Sequence, residues 1–118
     1  MRFAGLFWMQ GESDSDTRAH AEAYGEDLTR FIAGIRAELH APDLPVVIGQ
    51  IIDIGLFDGN WRYSYIVREQ ERKVADSVHD AFLVSTAGLA RAPHSPIHFS
   101  TRGTVDLGYR FVRRSFNL

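Results

Sequence analysis

The sequence predicts an α/β domain built on an open parallel sheet, and three observations carry that prediction. Three short runs of mostly apolar residues are separated by two long amphipathic stretches, so strand and helix patterns alternate. The runs are continuous where one wet face would make them alternate, as expected of parallel strands buried on both sides. A third amphipathic stretch closes the chain, giving the order β-α-β-α-β-(loop)-α, with right-handed crossovers expected.

The elements follow in order. "FAGLFW", residues 3–8, is the first strand. From about Thr17 to His40 the apolar residues Tyr24, Leu28, Phe31, Ile32, Ile35 and Leu39 fall on one helical face, with Ser15 or Asp16 as the expected N-cap. Pro42 and Pro45 end that helix and introduce "VVIGQII", 46–52, a β-branched strand. "DIGLFDGN", 53–60, has the chemistry of a loop. Residues 62–78 set Val67, Val74, Ala75 and Val78 among Arg68, Glu69, Glu71, Arg72 and Lys73, and read as a second amphipathic helix. "AFLVSTA", 81–87, is the third strand. A loop with Pro93 and Pro96 leads to a helix over 101–116, with Ser100 as its cap and Leu107, Phe111 and Val112 as its apolar residues. Repeats, low-complexity tracts and linkers are absent, so residues 1–118 form one domain.

Composition narrows the function. The apolar fraction of 45% and charged fraction of 24% are ordinary for a globular chain. A net charge of −2 with interspersed signs gives no electrostatic case for nucleic acid or an anionic membrane. Without cysteine there is no disulfide, no thiol catalysis and no thiolate-bound metal, and the compartment stays open. No stretch approaches a membrane span, and the N-terminus lacks the pattern of a signal peptide.

The chemistry concentrates in "FWMQGESDSD", residues 7–16. A strand-to-helix turn needs a glycine and a cap, but Gln10 and Glu12 on either side of Gly11 are more than a turn requires. Ligands of open α/β sheets bind at the carboxyl ends of strands, where the first and third loops would bring Gln10, Glu12 and His98 to one rim. An amide, a carboxylate and an imidazole are the accessories of acyl transfer: oxyanion donor, orienting acid and general base.

"WMQGESD", "AEAY", "LPVVIGQI", "VREQERKVA" and "IHFSTRGTVDLGYRF" together resemble the sialate O-acetylesterase domain, a branch of the SGNH hydrolases shared with carbohydrate esterase family 6. The likeness runs over nearly the whole chain, in order and with compatible spacing. It implies a flavodoxin-like, three-layer α/β/α fold, hydrolysis of acetyl esters on sugars, and no cofactor or metal. By position His98 matches the general base, Gln10 the loop that gives an oxyanion-hole side chain, and Glu12 the glutamate proposed as triad acid. Gln50 and Gln70 match polar positions without an assigned role.

Two departures from that pattern matter. The family's aspartate three residues before the histidine is Ser95 here, and a hydroxyl cannot balance an imidazolium as a carboxylate does. The family's nucleophile motif, a Gly-Gln-Ser-Asn-like stretch on an earlier strand, has no counterpart in these residues. The chain therefore reads as the C-terminal portion of the domain, its N-terminal strands missing and its activity alone negligible. Residues 3–8 would then form an uncovered edge, favouring a homodimer or a complex with a chain that supplies the missing strands. The other reading is a non-catalytic, self-associating or carbohydrate-binding module on the same fold.

Each residue also has a plainer reading. His98 alone is a loop histidine with ordinary hydrogen bonds, Glu12 a helix-start carboxylate, and Gln10 a turn amide. Trp8 and Trp61 read as core or groove wall before sugar platforms. Ser13 and Ser15 lack a nucleophile elbow. His94 and His98 have helical metal-pair spacing, but Pro93 and Pro96 exclude a helix there. His20, His40 and His79 read as solvated.

Overall fold

The computed structural model describes residues 1–53, 59–95 and 97–116. Strands β1 (Leu6–Trp8), β2 (Val46–Gly49) and β3 (Ala81–Val84) form one sheet in the order β1-β2-β3. Both pairings are parallel, with Leu6 opposite Val46 and Val46 opposite Ala81. Helices α1 (Arg18–Glu38), α2 (Ser64–Ser77) and α3 (Thr101–Ser115) cover it. Short 3₁₀ turns stand at Ser13–Ser15 and Gly59–Trp61.

Side chains alternate across the sheet, and that alternation makes three layers. Val46, Ile48 and Ala81 join Ala21, Tyr24, Leu28 and Ile32 of α1 and Val67 and Val74 of α2 in one core. Val47 and Val84, pointing the other way, join Leu107 and Phe111 of α3. On β1, Leu6 and Trp8 pack on the α1 side, while Phe7 stacks on Phe111 with ring centroids 5.5 Å apart. All four β2 residues are buried, as a central strand covered on both faces requires.

The strands are shorter than the apolar runs. Residues 3–5 lie outside β1, whose pairing begins where the Leu6 N–H donates to the Pro45 carbonyl at 2.8 Å. Ile51 and Ile52 are buried but lie beyond β2, and 85–87 lie beyond β3. The cap of α1 is Thr17, whose hydroxyl accepts the His20 N–H, and neither Ser15 nor Asp16 takes that role. The 3₁₀ turn occupies Ser13–Ser15, and the buried Ser15 hydroxyl donates to the Gly11 carbonyl at 3.0 Å. Phe31 and Val112 are exposed, so the buried face of each helix is narrower than the periodicity suggested. Ser100 caps α3 as expected, accepting the Gly103 N–H at 3.1 Å. Of the 53–60 loop, residues 54–58 lie outside the described residues, as does Pro96.

Among the described residues no helix is long and apolar enough to cross a membrane.

Candidate functional site

Gln10, Gly11 and Glu12 leave the carboxyl end of β1. Gly11 has φ of +144°, and a Cβ there would lie 2.9 Å from Val67 Cγ1. Both facts demand glycine and let the chain turn close over α2. The turn is then fixed by a relay: Trp8 Nε1 donates to the Tyr24 hydroxyl at 3.1 Å, which donates to the Gln10 carbonyl at 2.7 Å. Burial, opposed by the Trp8 bond, pushes the Tyr24 phenol well above its ordinary value, so it stays a neutral donor. Gln10 Nε2 donates to Asp14 Oδ2 at 2.7 Å, which orients the amide and uses one of its two N–H donors. Glu12 is half-buried at the N-cap of the 3₁₀ turn and makes no side-chain cap bond.

His98 is exposed, in the connection between β3 and α3. An antiparallel bridge between Arg91 and Phe99 folds that connection back on itself, and the Ala92 N–H donates to the His98 carbonyl at 2.9 Å. Helix α3 is tied to the carboxyl side of the sheet by Arg110, which donates to the carbonyls of Ser85 and Ala87, just past β3. The His98 ring is oriented by Ser95, whose hydroxyl lies 2.7 Å from Nδ1. The bonds described for the expected site residues therefore run from Gln10 to Asp14 and from His98 to Ser95.

The loop after β2 is held by α2. Both Glu71 carboxyl oxygens face the Ile51 N–H, at 3.3 and 3.2 Å, and Arg68 donates to the Ile51 carbonyl. Ser64 Oγ donates to Asp53 at 2.9 Å, and Thr86 Oγ1 to the Gln50 carbonyl at 2.7 Å. Glu71 is fully buried, and its carboxyl is pushed up to about 9 by burial, against the opposing Ile51 N–H and Arg68. Glu12 raises it further. The sequence reading singled out neither Glu71 nor Arg68 for the site. The signal was present, because Glu71 lies four residues after Val67 and three before Val74, on the buried face of α2. Gln50 reaches the Arg68 carbonyl only at 3.4 Å. Gln70 faces α1 instead, over Gly25, where a Cβ would lie 2.2 Å from Gln70 Oε1.

Trp8 and Phe31, with ring centroids 4.7 Å apart, wall a groove of about 180 Å³ that Gln10, Asp14, Tyr24, Asp27 and Leu28 complete. Trp8 is thus a half-buried groove wall.

With this geometry in view, the comparison with known proteins is decisive: residues 1–117 match the model of the carbohydrate esterases named sialic acid-specific acetylesterase. The chain belongs to that family. A probable carbohydrate esterase of Arabidopsis thaliana is 30% identical over 103 residues, 87% of this chain but 36% of that protein. The X-ray structure of an Arabidopsis thaliana protein superposes with a TM-score of 0.84 at 26% identity, over 98% of this chain and 45% of the other. A carbohydrate acetylesterase of Xanthomonas citri shares the fold, with a TM-score of 0.78 at 20% identity, over 98% of this chain and 26% of its own. This acetylesterase-family chain therefore spans about a third of the curated relative it matches.

Proposed function

We propose that the chain is the base-bearing portion of an SGNH-type carbohydrate O-acetylesterase, acting on acetyl esters of sugars. The observation that carries this reading is the Ser95–His98 contact, 2.7 Å at Nδ1, within a family match over 1–117. It engages one ring nitrogen and leaves Nε2 for a reactant, the division of labour that a general base needs. In the proposed reaction a serine hydroxyl attacks the acetyl carbonyl while His98 Nε2 takes its proton. The free N–H of Gln10 stabilises the oxyanion, and His98 returns the proton to the departing sugar oxygen; water then repeats the cycle on the acyl-enzyme. Glu12 supplies negative charge on the same rim, since Ser95 already holds Nδ1 and cannot balance an imidazolium. The serine is not among these residues, so the chain alone turns over acetyl esters negligibly.

Without turnover, substrate binding is measurable. Titration of labelled protein with an O-acetylated monosaccharide is expected to shift the amide resonances of Gln10, Gly11, Glu12 and His98 together, and the unacetylated sugar to shift them less. Shifts at only one of the two loops would contradict a shared site.

The non-catalytic alternative has its own support: an aromatic groove rimmed by an amide and carboxylates suits a sugar ring. It shares one expectation with the main reading. Strand β1 is an edge of the described sheet; Phe7 within it and Phe3 just before it are 51% and 41% exposed. Its three residues carry no lysine, proline or inward charge to deter pairing. We therefore propose that purified chain associates through β1 as a homodimer, where no chain supplying further strands is present. Light scattering is expected to give twice the 13.3 kDa chain mass. A stable monodisperse monomer at micromolar concentration would show the edge to be inert.

A further inference from the structure

Hydrogen bonds through four side chains fasten the segment that leaves β2 onto one side of α2. Glu71 and Arg68 grip the N–H and the C=O of Ile51, the Gln50 side chain reaches the Arg68 carbonyl, and Ser64 holds Asp53. One residue is thus held at both backbone polar groups by side chains. This explains how a fully buried Ile51 lies beyond the strand with its backbone satisfied. The segment lies at the carboxyl end of the central strand, the edge where the proposed site is built.

We propose that Glu71 is a positioning residue for this rim, the proton-sensitive half of a clamp on the Ile51 peptide whose other half is Arg68. The proposal rests on the esterase reading only for the purpose of the rim; the clamp itself stands on the contacts. Every charged or titratable group described as acting on Glu71 has a definite effect. Glu12, from the β1–α1 connection, disfavours a second negative charge, whereas Arg68, on α2 itself, favours one. Tyr24 of α1 stays neutral and offers no countercharge. Burial outweighs Arg68 and the Ile51 N–H, so the closed clamp holds a carboxylic acid with a value near 9. Ionisation is then coupled to opening, because an opened segment lets the carboxylate reach water. Between the ordinary glutamate value of 4.5, which a water-exposed carboxylate regains, and the closed-state value of about 9, each pH unit multiplies the open population by about ten.

Amide hydrogen exchange with carboxyl-labelled NMR on the whole chain tests this. Dividing wild-type rates by those of Glu71→Gln at the same pH removes base catalysis of exchange. The ratio for the Ile51 amide is expected to rise about tenfold per unit between pH 5 and 9 and then level off. Arg68→Ala is expected to raise Ile51 opening at every pH and leave that slope in place. Ile48, inside β2, serves as the reference for global unfolding and is expected to open less often than Ile51. A ratio independent of pH overturns the proposal, and so do equal opening of Ile51 and Ile48 and a wild-type Glu71 carboxyl that titrates below pH 6. That last readout needs no variant to fold. None of these readouts involves an ester or a sugar, so failure here leaves the esterase reading standing, and failure of that reading leaves the clamp.

Discussion

Glu71→Gln is expected to stabilise the chain at neutral pH, by an amount that grows as pH rises. The sign follows from linkage. The folded state holds the Glu71 proton to about 9 whereas the unfolded chain releases it near 4.5, so the unfolded state is favoured progressively as pH rises between those values. Glutamine keeps the carbonyl that accepts the Ile51 N–H and has no proton to lose. Its advantage is therefore absent below about pH 4 and reaches about 3–4 kcal/mol at pH 7, because each pH unit above the ordinary glutamate value adds about 1.4 kcal/mol. Chemical denaturation of both proteins at pH 4, 7 and 9 reads this directly. A difference that does not change with pH would mean that Glu71 titrates as an ordinary surface carboxylate, contrary to its burial.

Gly103→Ala is expected to have a comparably large effect of opposite sign. Gly103 sits in the first turn of α3, and a Cβ there would lie 2.0 Å from the Ala90 carbonyl oxygen and 3.0 Å from the carbonyl carbon. Both are backbone atoms, so no side-chain rotation relieves the clash. The Ala90 oxygen already accepts the Ser100 N–H at 3.0 Å and the Ser100 hydroxyl at 3.2 Å. Moving α3 away breaks those bonds and loosens Leu107 and Phe111 from Val47 and Val84. The loss is expected to be about 3 kcal/mol, the upper end for overpacking a close contact. The His98 segment is tied to the same stretch through Ala92 and should lose its order with it. Thermal unfolding and the His98 ring resonances measure the two consequences separately. A variant as stable as the wild type would show that the 90–100 connection gives way without cost.

The sheet and its helices were legible because their periodicities are clean. Val46, Val47 and Ile48 are buried on both faces, and Tyr24, Leu28 and Ile32 repeat at helical spacing. The strand ends were not legible, because a run of apolar residues reports burial and not hydrogen-bond partners. Ile51 and Ile52 are as apolar as β2, yet the Ile51 backbone is claimed by Glu71 and Arg68. The cap of α1 was misplaced by the competing use of Ser15, whose hydroxyl is committed to Gly11 and leaves the cap to Thr17.

At the proposed site, the family resemblance pointed to Gln10, Glu12, Ser95 and His98, but not to the Gln10–Asp14 and Ser95–His98 bonds that the fold forms. The 2.7 Å Ser95–His98 contact is three residues long in sequence, yet its geometry depends on the Arg91–Phe99 bridge that folds the loop. Tyr24 looked like a core aromatic, and only the fold shows its hydroxyl holding the Gln10 carbonyl.

We propose that these 118 residues hold the base and oxyanion groups of an acetylesterase without its nucleophile. Hydrolysis of p-nitrophenyl acetate by the purified chain, beside His98→Ala, tests it most directly. Both proteins are expected to stay at the buffer rate, because a base without a nucleophile retains only a residual fraction of triad catalysis. Clear turnover by the wild type, abolished in His98→Ala, would contradict it and place a working serine within this chain.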